Sequence, residues 1–210
     1  MKISIATGPW LPVPALQGGA IPRIWHGLAE EFAANGHEVK VLCRSYSGQP
    51  SHEVTKGVEY IRWGGLPQSP NIKVDLLKDL AYAICVTPTL PCSDILIIND
   101  FLLPVFAALR SKVGKIVINA NRFPKGQYGL YHKTDLFAVA SSAVQNAIAE
   151  QCPPAVSRMR VIPNPIDINI FSPPEKSRTI NAEKKILYVG RLHPEKGVHL
   201  LIDAFKVLSR

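Results

Sequence analysis

The sequence predicts an α/β protein built on a doubly wound parallel sheet, and three observations carry that prediction. Short runs rich in Ile and Val, such as KISIAT, DILIIN and KIVINA, alternate along the chain with stretches of helical period. Runs that are apolar on both faces belong inside a sheet covered by helices on each side. With 47% apolar and 19% charged residues over a length of 210, the chain can bury one full domain and part of another.

Taken in order, KISIAT reads as the first strand and GPWLPVPALQGG as a loop punctuated by Gly and Pro. Ile21, Ile24, Trp25, Leu28, Ala29 and Phe32 then recur at the spacing of one helix face, with Pro22 suited to the first turn and Gly36 placed to end it. HEVKVLC and VEYIRW supply a second and a third strand, and a helical period runs from about Ile72 to Val86. DILIIN is the next strand, followed by a short helix over LLPVFAALR and strands at KIVINA and LFAVA. A helix opened by Ser141 or Ser142 and a strand near RVI complete a first domain over 1–172. His132, ahead of TDLFAVA, reads as a residue of a helix surface. Right-handed crossovers make this domain Rossmann-like.

IPNPIDINIFSPP carries four prolines in 13 residues and runs into the polar EKSRTINAEKK, which places a linker over 173–185. ILYVG then restarts as a strand and GVHLLIDAFKVL as a helix, with Leu201, Ile202 and Phe205 on its apolar face. One strand and one helix cannot bury a core, so residues 186–210 are expected to form an incomplete second domain.

Charge and cysteine content narrow the chemistry. The net charge is +8, with 24 basic and 16 acidic side chains, and residues 173–210 hold half of the excess. Such a balance suits a solvated basic surface or attraction to phosphate and anionic lipid. The basic residues are not interleaved with aromatics along one element, so no nucleic-acid partner is expected. Cys43, Cys85, Cys92 and Cys152 form no CxxC pair and show no ligand spacing with the six histidines, so no metal site is expected and the thiols read as reduced, in a cytoplasmic protein. No apolar run reaches the roughly 18 residues of a membrane span, although contact with a membrane surface stays open. The N-terminus lacks the pattern of a signal peptide.

In a doubly wound sheet the ligand crevice lies beyond the carboxyl ends of the strands. Four loops that follow strands therefore matter most: 8–19, 99–104, 119–126 and 190–196. The first ends in Gly18 and Gly19, immediately before a helix. Adjacent glycines let backbone N–H groups approach a phosphate at a helix N-terminus, or simply make a flexible turn. Neither GxGxxG nor GxxxxGK[ST] is present, which counts against a dehydrogenase and a P-loop nucleotidase. In the last loop Arg191 and Lys196 place a guanidinium and an ammonium where a strand is expected to hand over to a helix.

GGAIPRIWHGLAEEFAANGHEVKVL, IPNPIDINIFSP and YVGRLHPEKGVHLLIDAF together resemble the retaining glycosyltransferases of the two-domain GT-B architecture, family 4 in particular. The resemblance runs over nearly the whole chain and implies an N-terminal acceptor-side domain joined to the start of a donor-binding domain. It implies transfer of a sugar from a nucleotide-sugar donor to a carbohydrate or lipid-linked acceptor, with no cofactor and no metal. On that basis Arg191 and Lys196 match the cations that hold the donor diphosphate, Gly190 the glycine ahead of them, and Gly18 and Gly19 the glycine-rich loop facing the cleft, so that the resemblance implies donor binding by all three glycines. Asp100 matches a polar position that lines the acceptor pocket, with capping of the next helix as the alternative. Asn121 falls where many relatives carry a cleft histidine. Pro165 stands where the family's linker motif usually has glycine, and the family's paired glutamates would lie beyond Arg210, so the 210-residue chain alone is expected to be inactive. A nucleotide-sugar epimerase and a noncatalytic carbohydrate- or lipid-binding module are the alternative readings.

Overall fold

Eight strands form one sheet in the computed structural model, which describes residues 1–173 and 185–208. The strands are β1 (Lys2–Thr7), β2 (Glu38–Arg44), β3 (His52–Thr55), β4 (Val58–Trp63), β5 (Ile95–Asn99), β6 (Lys115–Ala120), β7 (Leu136–Val139) and β8 (Met159–Val161). Their spatial order is β3-β4-β2-β1-β5-β6-β7-β8. Every pairing is parallel except that of β3 with β4. The helices are α1 (Ala20–Ala34), α2 (Ile72–Val86), α3 (Leu103–Ala107), α4 (Ser142–Gln151) and α5 (Val198–Leu208).

The central strands explain the order. In β1 every residue from Ile3 to Thr7 is buried, as a strand covered on both faces must be. Ile3 and Ile5 join Trp25 and Ala29 of α1 in one core cluster, with Val39 and Val41 of β2. Ala6 joins a second cluster on the opposite face, with Leu96 and Ile98 of β5 and Tyr82, Ala83 and Val86 of α2. The chain leaves β1 toward β2 in one direction and returns at β5 on its other side. That reversal leaves a gap at the carboxyl ends of β1 and β5 where no connecting loop crosses.

Local signals set the helix ends. Gly19 is the N-cap of α1 at φ 98°, and Gly36, at φ 81°, follows its C-cap Asn35. Asn71 caps α2 by accepting the Lys73 N–H through Oδ1 at 3.0 Å. Ser141, the earlier of the two expected positions, caps α4 by accepting the Val144 N–H at 3.4 Å.

Three local expectations change. β3, a four-residue antiparallel edge strand with mostly exposed side chains, was not among the expected strands. His132 lies in a turn rather than on a helix. The strand expected over 186–190 is not formed among the described residues: Leu187 and Val189 are exposed, and a strand without a neighbour to bond has nothing to hold it extended. The expected helix is present as α5, with Ile202 and Phe205 of its apolar face exposed and Leu201 partly buried. The linker expected at 173–185 lies, apart from its two end residues, outside the described residues. The chain separates into two compact units, Met1–Asp167 and Ile168–Arg210.

Candidate functional site

A cavity of about 320 Å³ opens in the first unit at the gap between β1 and β5. Its walls come from the carboxyl ends of three adjacent parallel strands and the residues beyond them: Thr7, Gly8 and Trp10 at and after β1, Asn99 and Asp100 at and after β5, and Asn119, Asn121 and Arg122 at and after β6. Tyr128 and Tyr131, from the turn beyond β6, add aromatic surface. A mouth lined by amides, one acid, one guanidinium and several aromatic rings is chemically matched to a polyhydroxylated ligand, whose C–H faces stack on rings and whose hydroxyls need donors and acceptors.

The amides are tied to one another. Asn99 Nδ2 donates to the Asn119 carbonyl at 3.1 Å and to Asn119 Oδ1 at 3.0 Å. Asn121 Nδ2 also donates to Asn119 Oδ1. Asn121 Oδ1 is buried and accepts from no donor among the described residues. A buried acceptor left open at a cavity wall is stabilised by a ligand that brings a donor.

Asp100 does two things at once. Its Oδ1 accepts the N–H groups of Leu102 at 3.1 Å and Leu103 at 2.7 Å, so it caps the start of α3. The residue is also among those that line the cavity. Capping of the next helix and a place along the cavity are therefore compatible in this residue. Burial, together with the charge of neighbouring Asp79, holds the Asp100 carboxyl well above the usual aspartate range. Gly8 fits this arrangement, since a Cβ built there would stand 2.5 Å from Asp100 Oδ2.

Asp79 was not anticipated as a site residue. It lies on α2, only 2% exposed, and its Oδ2 accepts the Leu102 N–H at 3.0 Å. A signal was present: Asp79 falls in register with the buried stripe Tyr82, Ala83 and Val86 at i+3, i+4 and i+7. An acid on the buried face of a helix needs a partner.

Gly18 and Gly19 are not part of the cavity wall, but both have positive φ, 74° and 98°. A Cβ at Gly19 would stand 2.7 Å from Leu11 Cδ1 and 3.3 Å from Pro22 Cδ, and both of those residues line the cavity. A Cβ at Gly18 would meet nothing within 4 Å. Asp100 and Asn121 are thus brought to one cavity, with Gly19 packed behind its rim.

Gly190, Arg191 and Lys196 belong to the second unit. Arg191 and Lys196 are exposed and make no ion pair among the described residues. The turn that carries them is defined by its backbone: Tyr188 Oη donates to the Arg191 carbonyl at 2.9 Å, and the Lys196 N–H donates to the His193 carbonyl at 2.9 Å. Gly197, left-handed at φ 65°, closes the short turn Pro194–Lys196 ahead of α5. Among the described residues no group of His, Cys, Asp and Glu is arranged to hold a metal ion, and no helix is long and apolar enough to cross a membrane.

Comparison with known proteins gives this geometry a context. The protein YtcC of Bacillus subtilis (strain 168) is 25% identical over 98% of this chain. A glycogen synthase of Mycobacterium tuberculosis (strain ATCC 25618 / H37Rv) is 26% identical over 96% of it. The chain spans 53% and 57% of the lengths of these two relatives, a little over half. Among solved structures, sucrose-phosphate synthase from Thermosynechococcus elongatus matches with a TM-score of 0.70 at 18% identity, covering 97% of this chain and 59% of that one. Anabaena HepE in complex with UDP-glucose matches with a TM-score of 0.55 at 16% identity, covering 83% of this chain and 47% of that one. At these identities the structural likeness speaks to the fold. The model of Glycosyltransferase Family 4 matches residues 21–170, most of the α/β unit and its cavity, and the chain belongs to that family.

Proposed function

We propose that the whole protein transfers a sugar from a nucleotide-sugar donor to a carbohydrate or lipid-linked acceptor with retention of anomeric configuration, and that the cavity between β1, β5 and β6 receives the acceptor. The observation that carries this reading is the cavity itself, with Asp100, Asn121 and the aromatic rings at the switch point of the sheet. Family membership supports the reaction class. The UDP-glucose held by HepE, a protein of the same fold, supports a nucleotide-sugar donor.

In this reading the donor diphosphate rests against Arg191 and Lys196, with Gly190 allowing close approach, and the glycine-rich loop of Gly18 and Gly19 belongs to the donor-binding set as well. Breaking the bond between the sugar and the nucleoside diphosphate builds negative charge on the leaving group. Without a metal, that charge must be met by fixed cations and backbone donors. Arg191 supplies a planar fork of N–H groups and Lys196 a compact charge, a division of labour suited to two adjacent phosphates. The acceptor hydroxyl is oriented by Asp100 and Asn121. The enzyme works in the cytoplasm, and a lipid-linked acceptor would draw it to the inner membrane surface.

The test is an assay of the whole protein with UDP-, GDP- and ADP-sugars against a panel of saccharide and lipid-linked acceptors, with the new bond identified by NMR. Transfer with retention from one donor supports the proposal. Inversion would overturn the stereochemical part, and saturable saccharide binding without any donor turnover would favour a binding module.

A further inference from the structure

The loop over 8–19 leaves β1, supplies Gly8, Trp10 and Leu11 to the cavity, and ends at α1. Among the described residues the backbone hydrogen bonds within it are local: the Leu16 N–H donates to the Pro14 carbonyl at 2.8 Å and the Gly18 N–H to the Ala15 carbonyl at 3.0 Å. Side-chain hydrogen bonds reach it, among the described residues, from the end of β2. Arg44 Nη1 donates to the Trp10 carbonyl at 2.8 Å, and Cys43 Sγ donates to the Val13 carbonyl at 3.7 Å. A thiol is a weak donor, so the guanidinium makes the stronger of the two ties. Pro12 and Arg44 also pair as an isolated parallel bridge.

The neighbouring strand is shaped to let Arg44 through. β4 pairs with β2, with Arg44 opposite Trp63, and Gly65 follows two residues later. A Cβ added at Gly65 would overlap Arg44 Cγ, Cδ and Nε, so the arginine side chain crosses the end of β4 where only glycine leaves room. Among the described residues Arg44 makes no ion pair, its Nε is buried without an acceptor, and its guanidinium donates to the Trp10 carbonyl alone. An unsatisfied buried N–H costs stability, which the single bond to Trp10 must offset. The Trp10 indole in turn lies at the cavity. A Cβ added at Gly8 would stand 3.7 Å from Trp10 Cδ1 and 2.5 Å from Asp100 Oδ2, so ring and carboxyl converge on the bare side of Gly8, and all three residues line the cavity.

We propose that Arg44 is a positioning residue of the cavity: reaching across Gly65 to the Trp10 carbonyl, it fixes the loop between β1 and α1 so that the Trp10 indole stays beside Asp100, ready to receive the ligand. Arg44 is not itself among the lining residues, so it acts through Trp10. Without this latch the loop keeps its local turns and the weak thiol bond, and the freedom it regains must be removed again when a ligand binds, which lowers affinity. The effect therefore falls on ligand binding rather than on bond breaking. That the ligand is a sugar acceptor rests on the transferase reading; the latch itself does not.

The experiment is fluorine-19 NMR of the whole protein labelled with 5-fluorotryptophan, the signals of Trp10, Trp25 and Trp63 being assigned by replacing each with Phe. Arg44→Met is expected to shift and broaden the Trp10 signal and to leave in place that of Trp25, which is buried in the core cluster under α1. Gly65→Ala keeps the arginine but blocks its path and is expected to do the same, whereas Arg44→Lys, which keeps a donor, is expected to do so less. A Trp10 signal unchanged in Arg44→Met or in Gly65→Ala overturns the proposal, as does a Trp25 shift of equal size, the mark of general loosening. In sugar transfer by the whole protein, Arg44→Met is expected to raise acceptor KM severalfold with a smaller change in kcat, and to add nothing in a Trp10→Ala background. An equal rise in that background overturns the proposal. A Trp10 signal that responds in a protein that turns over no nucleotide-sugar leaves the latch standing and sinks the transferase reading instead.

Discussion

Gly8 and Gly18 differ in what a methyl group would strike. At Gly8 a Cβ would stand 2.5 Å from Asp100 Oδ2, so Gly8→Ala must displace the carboxyl that caps α3, in a residue that lines the cavity. At Gly18 a Cβ meets open space, and only the backbone at φ 74° resists substitution, at a cost of about 1–3 kcal/mol. Acceptor KM is therefore expected to rise severalfold in Gly8→Ala and to stay near the wild-type value in Gly18→Ala, by steady-state kinetics at fixed donor. The Asp100 carboxyl also gives stability a pH dependence of known sign. Its folded value lies well above its unfolded one, so below the unfolded value both states hold the proton and stability is full. As pH rises, the unfolded chain loses the proton first, and stability falls until the folded value is passed, by up to about 1.4 kcal/mol per pH unit. Asp100→Asn has no such proton to lose. Urea unfolding at pH values rising from the ordinary aspartate range should show the variant gaining on the wild type, and a constant difference would contradict this. Asp100 was legible in the sequence because it follows a strand in a chain of alternating strands and helices. Asp79 was not, because an acid in LLKDLAY resembles a solvated helix residue until its register with Tyr82, Ala83 and Val86 is noticed, and its partner lies on another element.

At the scale of elements, the strands buried on both faces were the most legible and the edges the least. β1, β5 and β6 declare themselves by unbroken apolar runs, which only a covered sheet can satisfy. β3 has four residues, HEVT, and an edge strand with one partner needs no apolar pattern to pair. The run ILYVG has strand composition, yet no partner is present for it among the described residues, and composition cannot supply hydrogen bonds. This contrast predicts where stability resides. Ile98 of β5 is fully buried between β1 and β6, in the cluster that α2 covers. Ile98→Ala is expected to lower stability by about 2–5 kcal/mol, the range for truncating a packed aliphatic side chain. Val54→Ala, at an exposed edge position, should change it by no more than about 0.5 kcal/mol. Thermal unfolding of the two variants in parallel gives the comparison.

For the molecule as a whole, the sheet order places the ligand cavity before any side chain is considered, because connections leave β1 and β5 in opposite directions. Three of the four loops singled out by their position after strands contribute residues to that cavity. The fourth carries Arg191 and Lys196 in the second unit, exposed and without an ionic partner among the described residues. The claim that joins them is that these two cations meet the charge of a departing nucleoside diphosphate. The most direct measurement is the turnover number of the whole protein for sugar transfer, with Arg191→Ala, Lys196→Ala and the double variant compared with the wild type. Each single change is expected to lower kcat by about 10²–10³-fold, the effect of removing one preorganised charge-stabilising donor. A double variant that still transfers sugar at the wild-type rate would contradict the account.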